Sequence, residues 1–297
     1  MHNFKNILIT GGAGFIGSNL ISCIANKHKF SKILSIDNYS TGYRKNHVKN
    51  KDVLYLNLDC QKIFKTQNKL LRNFRPNYIF HLGEFSRVVP SFKSKDICLD
   101  SNIVGTLNVI KYALRKKSKL IYSASSIHWG TKYHSLSPYA WTKSKNVELI
   151  ENFSKWFNLN FSIVTFFNVY GKNQIKSGKM SSVIGNFENQ YLKNKRLTVV
   201  KPGTQQRDFI HIDDAIQGII LGAIKGNKKE YHIGSGKSYS IKRVAKMFKK
   251  NIKLIKERPG EAFTGKANLK RTKKELGYSP KKDLKKYINF FLKNNFS

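Results

Sequence analysis

The sequence predicts an α/β fold: a doubly wound parallel sheet followed by a smaller C-terminal α/β lobe. Three observations carry this reading. Short apolar runs alternate with longer amphipathic stretches over residues 1–167, the pattern of strands joined by helical crossovers. A glycine-rich turn, Gly11-Gly12-Ala13-Gly14-Phe15-Ile16-Gly17, joins the first apolar run to the first amphipathic stretch. Beyond residue 167 the rhythm weakens, so residues 168–297 read as a second lobe, interleaved with a return to the sheet near residues 205–230.

In chain order, residues 7–10 form a candidate first strand and residues 15–26 the first helix. Strands follow at 32–37, 53–58 and 78–82, then a helix over 101–116 and a strand at 119–123. A long helix over 139–157 precedes a strand at 162–167. Parallel strands with right-handed crossovers make the Rossmann architecture. In the second part, 173–179 is a polar loop, and a short strand at 197–200 runs into the turn 201–204. Residues 211–225 read as a helix with Asp213 and Asp214 in its first turn, where the helix dipole favours carboxylates. Two more helices are predicted over 241–248 and 283–292. No internal repeat or low-complexity linker interrupts this order.

The composition bounds the class. Of 297 residues, 40% are hydrophobic and 12% aromatic, which excludes a disordered chain. The 55 Lys+Arg against 17 Asp+Glu give a net charge of +38, which points toward nucleic acid or an anionic membrane. A second reading competes with it. The excess is mostly Lys and comes with abundant Asn, Ile, Phe and Tyr, five residue types that share AT-rich codons, so a biased genome produces such a surface with no partner behind it. Lys is spread along the chain and thickens only moderately, as at Lys270-Arg271-Thr272-Lys273-Lys274 and Lys281-Lys282. Cys23, Cys60 and Cys98 lie far apart, without a CxxC or a Cys/His cluster, so reduced thiols and no metal site are expected. The longest apolar stretch, near residues 215–224, is about half of a membrane span. The first residues read as a strand rather than a signal peptide. A soluble cytoplasmic protein is expected.

Gly11, Gly14 and Gly17 set a G-x-x-G-x-x-G spacing between a strand and a helix. Such a turn lets backbone N–H groups approach a pyrophosphate and lets the helix pack closely on the strand. Phe15 and Ile16, between the glycines, belong to the same candidate phosphate contact. Asp37 ends the second strand, at the position from which a carboxylate accepts both ribose hydroxyls of NAD and repels the 2′-phosphate of NADP. Asn38 is a further candidate cofactor contact. Arg44 and Lys45 nearby keep an NADP alternative open.

Tyr139 and Lys143 form a Y-x-x-x-K pair behind Pro138. The i, i+4 spacing places both on one helical face, and Pro138 stands at the helix start, where proline is tolerated. Tyrosine, with a reference pKa of about 10, is a poor base at neutral pH. A neighbouring ammonium and a positively charged nicotinamide would favour its phenolate. Ser125, ending the preceding strand, is placed to hydrogen-bond a reacting oxygen. Tyr and Lys at helical spacing are ordinarily surface residues; the glycine turn and Ser125 favour catalysis here.

With these residues the chain resembles the extended short-chain dehydrogenases/reductases, in the NAD-dependent epimerase/dehydratase group that acts on nucleotide sugars. The resemblance runs from the first strand to Leu276-Gly277-Tyr278-Ser279-Pro280. It implies a fourth-strand end at Phe80-His81-Leu82-Gly83, with Leu82 a cofactor contact, an active-site asparagine at Asn102 and an adenine contact at Asp59. It implies a sugar-nucleotide contact at Asn168 in Phe167-Asn168-Val169-Tyr170-Gly171. Arg207 and Arg258 fall in two further signatures, whose arginines clamp the diphosphate, and Glu261 falls where the family reaches the nucleoside ribose. Ser86 is a candidate substrate contact. Arginine suits diphosphate because its planar fork binds phosphate oxygens bidentately.

In the family, 4,6-dehydratases and uronate decarboxylases usually carry a Glu two positions after the catalytic Ser or Thr, and the dehydratases an Asp between. Here the run is Ser125-Ser126-Ile127, which resembles the 4-epimerases. The resemblance therefore implies an NAD-dependent nucleotide-sugar 4-epimerase of carbohydrate metabolism, an isomerase acting on UDP-glucose/galactose or UDP-N-acetylhexosamine through a transient 4-keto sugar. The alternatives are an NDP-4-keto-sugar reductase or another NDP-sugar modifier and, more remotely, a nucleic-acid-binding member of the fold. A homodimer is implied, paired through the helices over 101–116 and 139–157. Four departures bear on specificity. The Ser125–Tyr139 loop is short for the family. Thr165 stands where many members have Arg. Glu84 and Arg87 replace the usual small residues and either read the sugar or pair with each other. Gly265 falls near the position that gates a sugar N-acetyl group.

Overall fold

The computed structural model describes residues 5–27, 31–128, 136–260 and 265–295. The large sheet takes β1 (Asn6–Thr10), β2 (Lys32–Asp37), β3 (Val53–Asn57), β4 (Tyr78–His81), β5 (Lys119–Ser125), β6 (Phe161–Phe166) and β10 (Glu230–Ile233). Its order is β10-β6-β5-β4-β1-β2-β3, and every pair is parallel. The remaining strands are β7 (Asn168–Tyr170), β8 (Leu197–Val200), β9 (Gln206–His211), β11 (Ser238–Ser240) and β12 (Ile252–Ile255). They form two small sheets, β11-β9-β7 and β12-β8. The helices are α1 (Phe15–Lys27), α2 (Lys69–Asn73), α3 (Val88–Lys93), α4 (Lys95–Leu99), α5 (Gly105–Lys116), α6 (Pro138–Phe157), α7 (Val183–Leu192), α8 (Ile212–Lys225), α9 (Ile241–Met247) and α10 (Leu284–Lys293).

Strand alternation divides the core. Ile7 and Ile9 of β1 face the layer of α1 and α8, where Leu20, Ile21, Ile216 and Ile219 are buried. Leu8 faces the other way, onto the layer of α5 and α6 with Ile110, Ala113 and Ile150. Side chains on successive residues point to opposite faces, so a strand apolar at every position needs helices on both sides. A third cluster gathers Phe187 of α7, Val199 of β8, Val244 of α9 and Ile288 of α10. The chain leaves the large sheet after β6, returns to it through α8 and β10, and leaves again.

Local chemistry sets the helix ends. Ser137 caps α6 by accepting from the Ala140 N–H at 3.1 Å, with Pro138 in the first turn. Asn158 ends it in the left-handed region, at φ 53°. Asp283 caps α10 through the Lys286 N–H at 3.0 Å. His211 caps α8, with Asp213 and Asp214 in the first turn as the sequence predicts.

Two regions differ from the sequence reading. The helix expected over 101–116 is preceded by α3 and α4 and opens with a π turn at Asp100–Val104. Strands β7, β9, β10, β11 and β12 were not predicted. Their polar positions, such as Arg207 and Asp208 in β9 and Glu230 and His232 in β10, are satisfied by tertiary partners that local periodicity does not record.

Asp208 shows such a satisfaction. It is fully buried and its carboxylate accepts the Ser235 N–H (2.8 Å), the Ser235 hydroxyl (2.7 Å), the Gly236 N–H (2.8 Å) and the Ala267 N–H (3.1 Å). It ties β9 to two loops. Asp208→Ala should destabilise the protein by on the order of 3 kcal/mol, because it strands several buried donors. A denaturant midpoint equal to wild type would contradict this.

Candidate active site

The order of the large sheet reverses between β1 and β4, which makes their carboxyl ends diverge in connection and leaves a crevice. A cleft of ≈ 460 Å³ lies there. Its floor is the glycine turn. Gly11 has φ 71° and its N–H donates to the Ile36 carbonyl at 2.8 Å. A Cβ on Gly11 would stand 2.8 Å from the Gly83 backbone, and one on Gly17 2.2 Å from the Gly11 carbonyl. The ends of β1 and β4 therefore touch, and α1 sits on the turn, only because those side chains are missing. Gly14, Phe15, Ile16 and Gly17 line the cleft, and first-turn N–H groups of a helix have no carbonyl partner of their own.

Asp37 is 8% exposed at the end of β2 and accepts the Ala13 N–H at 2.9 Å and the Tyr39 N–H at 2.8 Å. Burial pushes its carboxyl up, and these two N–H donors work against that. Asn38 donates to Asp59 at 2.8 Å, and Asp59 also accepts the Gln61 N–H at 2.9 Å. All three line the same end of the cleft. Arg44 lies 5.0 Å over the Tyr39 ring.

Ser125 at the end of β5 and Tyr139 and Lys143 at the start of α6 face the cleft, with Leu82 and Ser86. Tyr139 is 8% and Lys143 3% exposed. Asn168, Lys179, Arg207 and Arg258 line the same cleft. Arg207 donates to the Gln206 carbonyl at 2.9 Å, and Asn168 to the Asp208 carbonyl at 3.1 Å. Gly265 lines the cleft too; among the described residues a Cβ there would meet the Gln206 carbonyl alone, at 3.7 Å.

Several expectations change. Asn102 does not face the cleft. It is fully buried, and its side chain accepts the Phe85 N–H at 2.7 Å and donates to the Phe85 carbonyl at 3.1 Å and the Thr142 hydroxyl at 2.9 Å. It clamps the backbone after β4 to α6 from behind. Glu84 and Arg87 do not pair. Glu84 is turned inward onto Lys143, whereas Arg87 donates to the Met180 carbonyl at 3.0 Å and the Ser86 carbonyl at 2.8 Å and lines the cleft. Thr165 is fully buried and hydrogen-bonds Glu230. Glu261 and most of the short loop before Tyr139 lie outside the described residues. Sequence reasoning missed Lys179, which sits in a polar loop with no motif around it. Among the described residues no cluster could hold a metal ion and no helix is long and apolar enough to cross a membrane. All three cysteines are free, and burial pushes the Cys60 thiol up to about 12 and the Cys98 thiol to about 11.

The model of the NAD dependent epimerase/dehydratase family matches residues 7–234. An uncharacterized protein of Methanocaldococcus jannaschii is 29% identical, over 98% of this chain and 97% of its own. UDP-glucuronic acid decarboxylase 3 of Arabidopsis thaliana is 27% identical, over 94% of this chain and 85% of its own. Among solved structures, the UDP-glucose 4-epimerase of Thermotoga maritima with UDP-glucose superposes with a TM-score of 0.89 at 25% identity, covering 97% of this chain and 99% of that one.

The residues present fit NAD. The glycine turn leaves an open cradle at a helix N-terminus, and the nearest acidic group to it is the carboxylate ending β2. Asp37→Asn should lower the preference for NAD over NADP by about tenfold, because a 2′-phosphate no longer meets a like charge. Equilibrium binding of the two dinucleotides measures it, and an unchanged ratio would remove Asp37 from the discrimination.

Proposed function

The chain belongs to the NAD dependent epimerase/dehydratase family, and from that premise we propose that it is a nucleotide-sugar 4-epimerase acting on a UDP-hexose or a UDP-N-acetylhexosamine. The family and its relatives include several reactions, so similarity alone does not choose among them. One observation carries the choice. Ser125, Tyr139 and Lys143 share the cleft with the glycine turn, and the residues after Ser125 are Ser126 and Ile127. An elimination across C5 and C6 needs a further acid and base at that point, and neither side chain supplies one. Among the described residues near this point Glu84 is acidic, and it is held by Lys143.

In this reading Tyr139 takes the proton from the sugar O4 and later returns it. Ser125 hydrogen-bonds the same oxygen and fixes its approach. Lys143 favours the Tyr139 phenolate and orients the nicotinamide ribose. NAD, when held by the glycine turn and Asp37, would supply a hydride acceptor and donor for C4 with no net oxidation. Arg207 and Arg258 hold the diphosphate, and Asn168 the adjoining sugar. Asp37, Asn38 and Asp59 hold the adenosine end of the cofactor. The space that the described residues leave at Gly265 supports an N-acetyl group on the sugar.

Incubation with UDP-glucose, UDP-galactose, UDP-N-acetylglucosamine and UDP-glucuronate, without added reductant, tests the reading. Interconversion of a 4-epimer pair is expected, and Tyr139→Phe should lose at least about 100-fold in turnover. No conversion of any of the four by NAD-loaded protein would end the epimerase reading.

A homodimer belongs to the same proposal. Trp141 of α6 and Val104, just before α5, are each 41% exposed, apolar surface on the helices expected to pair. Trp141→Asp should shift sedimentation from a dimer to a monomer; a wild-type protein that already sediments as a monomer would remove the pairing.

A further inference from the structure

The catalytic-face lysine does not stand alone. Behind it lies a polar network that is sealed from solvent and unrelated to the motifs that marked the site. The Glu84 side chain is 2% exposed and pairs with the Lys143 ammonium. A carboxylate so buried is costly unless paired and fully hydrogen-bonded. Glu84 is both. It accepts from the Thr106 hydroxyl at 3.0 Å, the Tyr122 hydroxyl at 3.1 Å and the Asn146 amide at 2.8 Å.

The direction of each bond can be followed to its source. Thr10 Oγ1 accepts the Leu82 and Gly83 N–H groups, at 3.1 and 2.9 Å. Both its lone pairs are used, so its hydroxyl donates to His81 Nδ1 at 2.7 Å. His81 then carries its proton on Nε2 and donates to Thr106 at 2.9 Å, and Thr106 donates to Glu84. Burial holds His81 neutral, down to about 4. Every partner of Glu84 is thus a donor, which is the pattern of an ionised carboxylate. Lys143 has three N–H groups. One goes to Glu84 and one to the Ser123 carbonyl at 2.6 Å, so the third is directed by the other two, and Lys143 lines the cleft.

We propose that Glu84 is a positioning residue that holds Lys143 in place and, by offsetting its charge, sets how readily the Tyr139 phenol ionises. The inference rests on the catalytic reading of Tyr139 and Lys143. An isolated ammonium one helical turn away favours a phenolate; an ammonium in contact with a carboxylate presents a dipole, whose field falls off faster. The other described groups facing this centre are His81 of β4, Tyr122 of β5, Cys60 after β3, Cys98 of α4 and Arg87 just before α3. His81 is neutral, burial pushes Tyr122 and both thiols upward, and Arg87 is left cationic. Among these described groups Lys143 and Arg87 carry positive charge toward Tyr139, and Glu84 is the one that opposes its ionisation.

Glu84→Gln removes that negative charge while keeping the shape. Tyr139 ionisation is read as the ultraviolet phenolate absorbance of each NAD-loaded protein minus that of its Tyr139→Phe counterpart, which cancels the other tyrosines. The Tyr139 midpoint in Glu84→Gln should fall by about one pH unit, the lower end for a near charge, and Glu84→Asp, which withdraws the carboxylate but keeps its charge, should fall by less. A midpoint equal to wild type in folded Glu84→Gln overturns the proposal; should that variant fail to bind NAD, a wild-type midpoint in Glu84→Asp overturns it. No substrate enters this measurement. A shifted midpoint with no sugar converted removes the epimerase reading alone, and conversion with an unshifted midpoint removes the role of Glu84 alone.

Discussion

The contact between the carboxyl ends of β1 and β4 is the constraint on which the site depends. Gly11 and Gly83 approach so closely that a Cβ on either meets the other's backbone within 2.9 Å. This brings the glycine turn of one strand against the loop leaving the other. The reversal of strand order opens the crevice at the same point. Thr10 then ties the two ends together by accepting two N–H groups from residues 82 and 83. The same hydroxyl begins the hydrogen-bonded chain that reaches Glu84 and Lys143. The glycine turn and α6 are thus joined through one buried threonine, so a shift of either strand end would be felt at both.

The half of the fold that repeats strand and helix was legible because its elements bury whole faces. Runs such as 32–37 and 119–123 carry consecutive apolar residues (Ile33-Leu34, Leu120-Ile121-Tyr122), and α1, α5 and α6 carry apolar stripes, α6 with a cap that Ser137-Pro138 announces. The second half was less legible for a physical reason. β9 carries Arg207 and Asp208, and Asp208 is buried only because Ser235, Gly236 and Ala267 supply its donors from far along the chain. β10 begins with Glu230, which His128 and Thr165 satisfy. Periodicity is local, and such partners are not.

The candidate site divides the same way. Glycines, Asp37, Ser125, Tyr139 and Lys143 lie at strand ends and helix starts, where a motif's spacing translates directly into a position in space. Asn102 lies inside a helical segment, and its sequence neighbours do not reveal which face it presents. The structure turns it toward the backbone at Phe85. Glu84 stood out as an unusual residue, but its partner, 59 residues away, is visible only after β4, β5 and α6 are assembled.

The net charge of +38 does not describe the cleft, where charges are sorted by sign. Asp37 and Asp59 line the end beneath β2 and β3, and Arg87, Lys179, Arg207 and Arg258 line the region facing β7 and β9. A uniformly basic groove would hold any polyanion along its length. This one has carboxylates at the ends of β2 and β3 and guanidinium groups near β7 and β9, with Tyr139 lining the same cleft. Lys143 lines it too, with its charge offset by Glu84. The surface charge draws anions toward the protein as a whole; the local sign of the cleft is set by these few side chains.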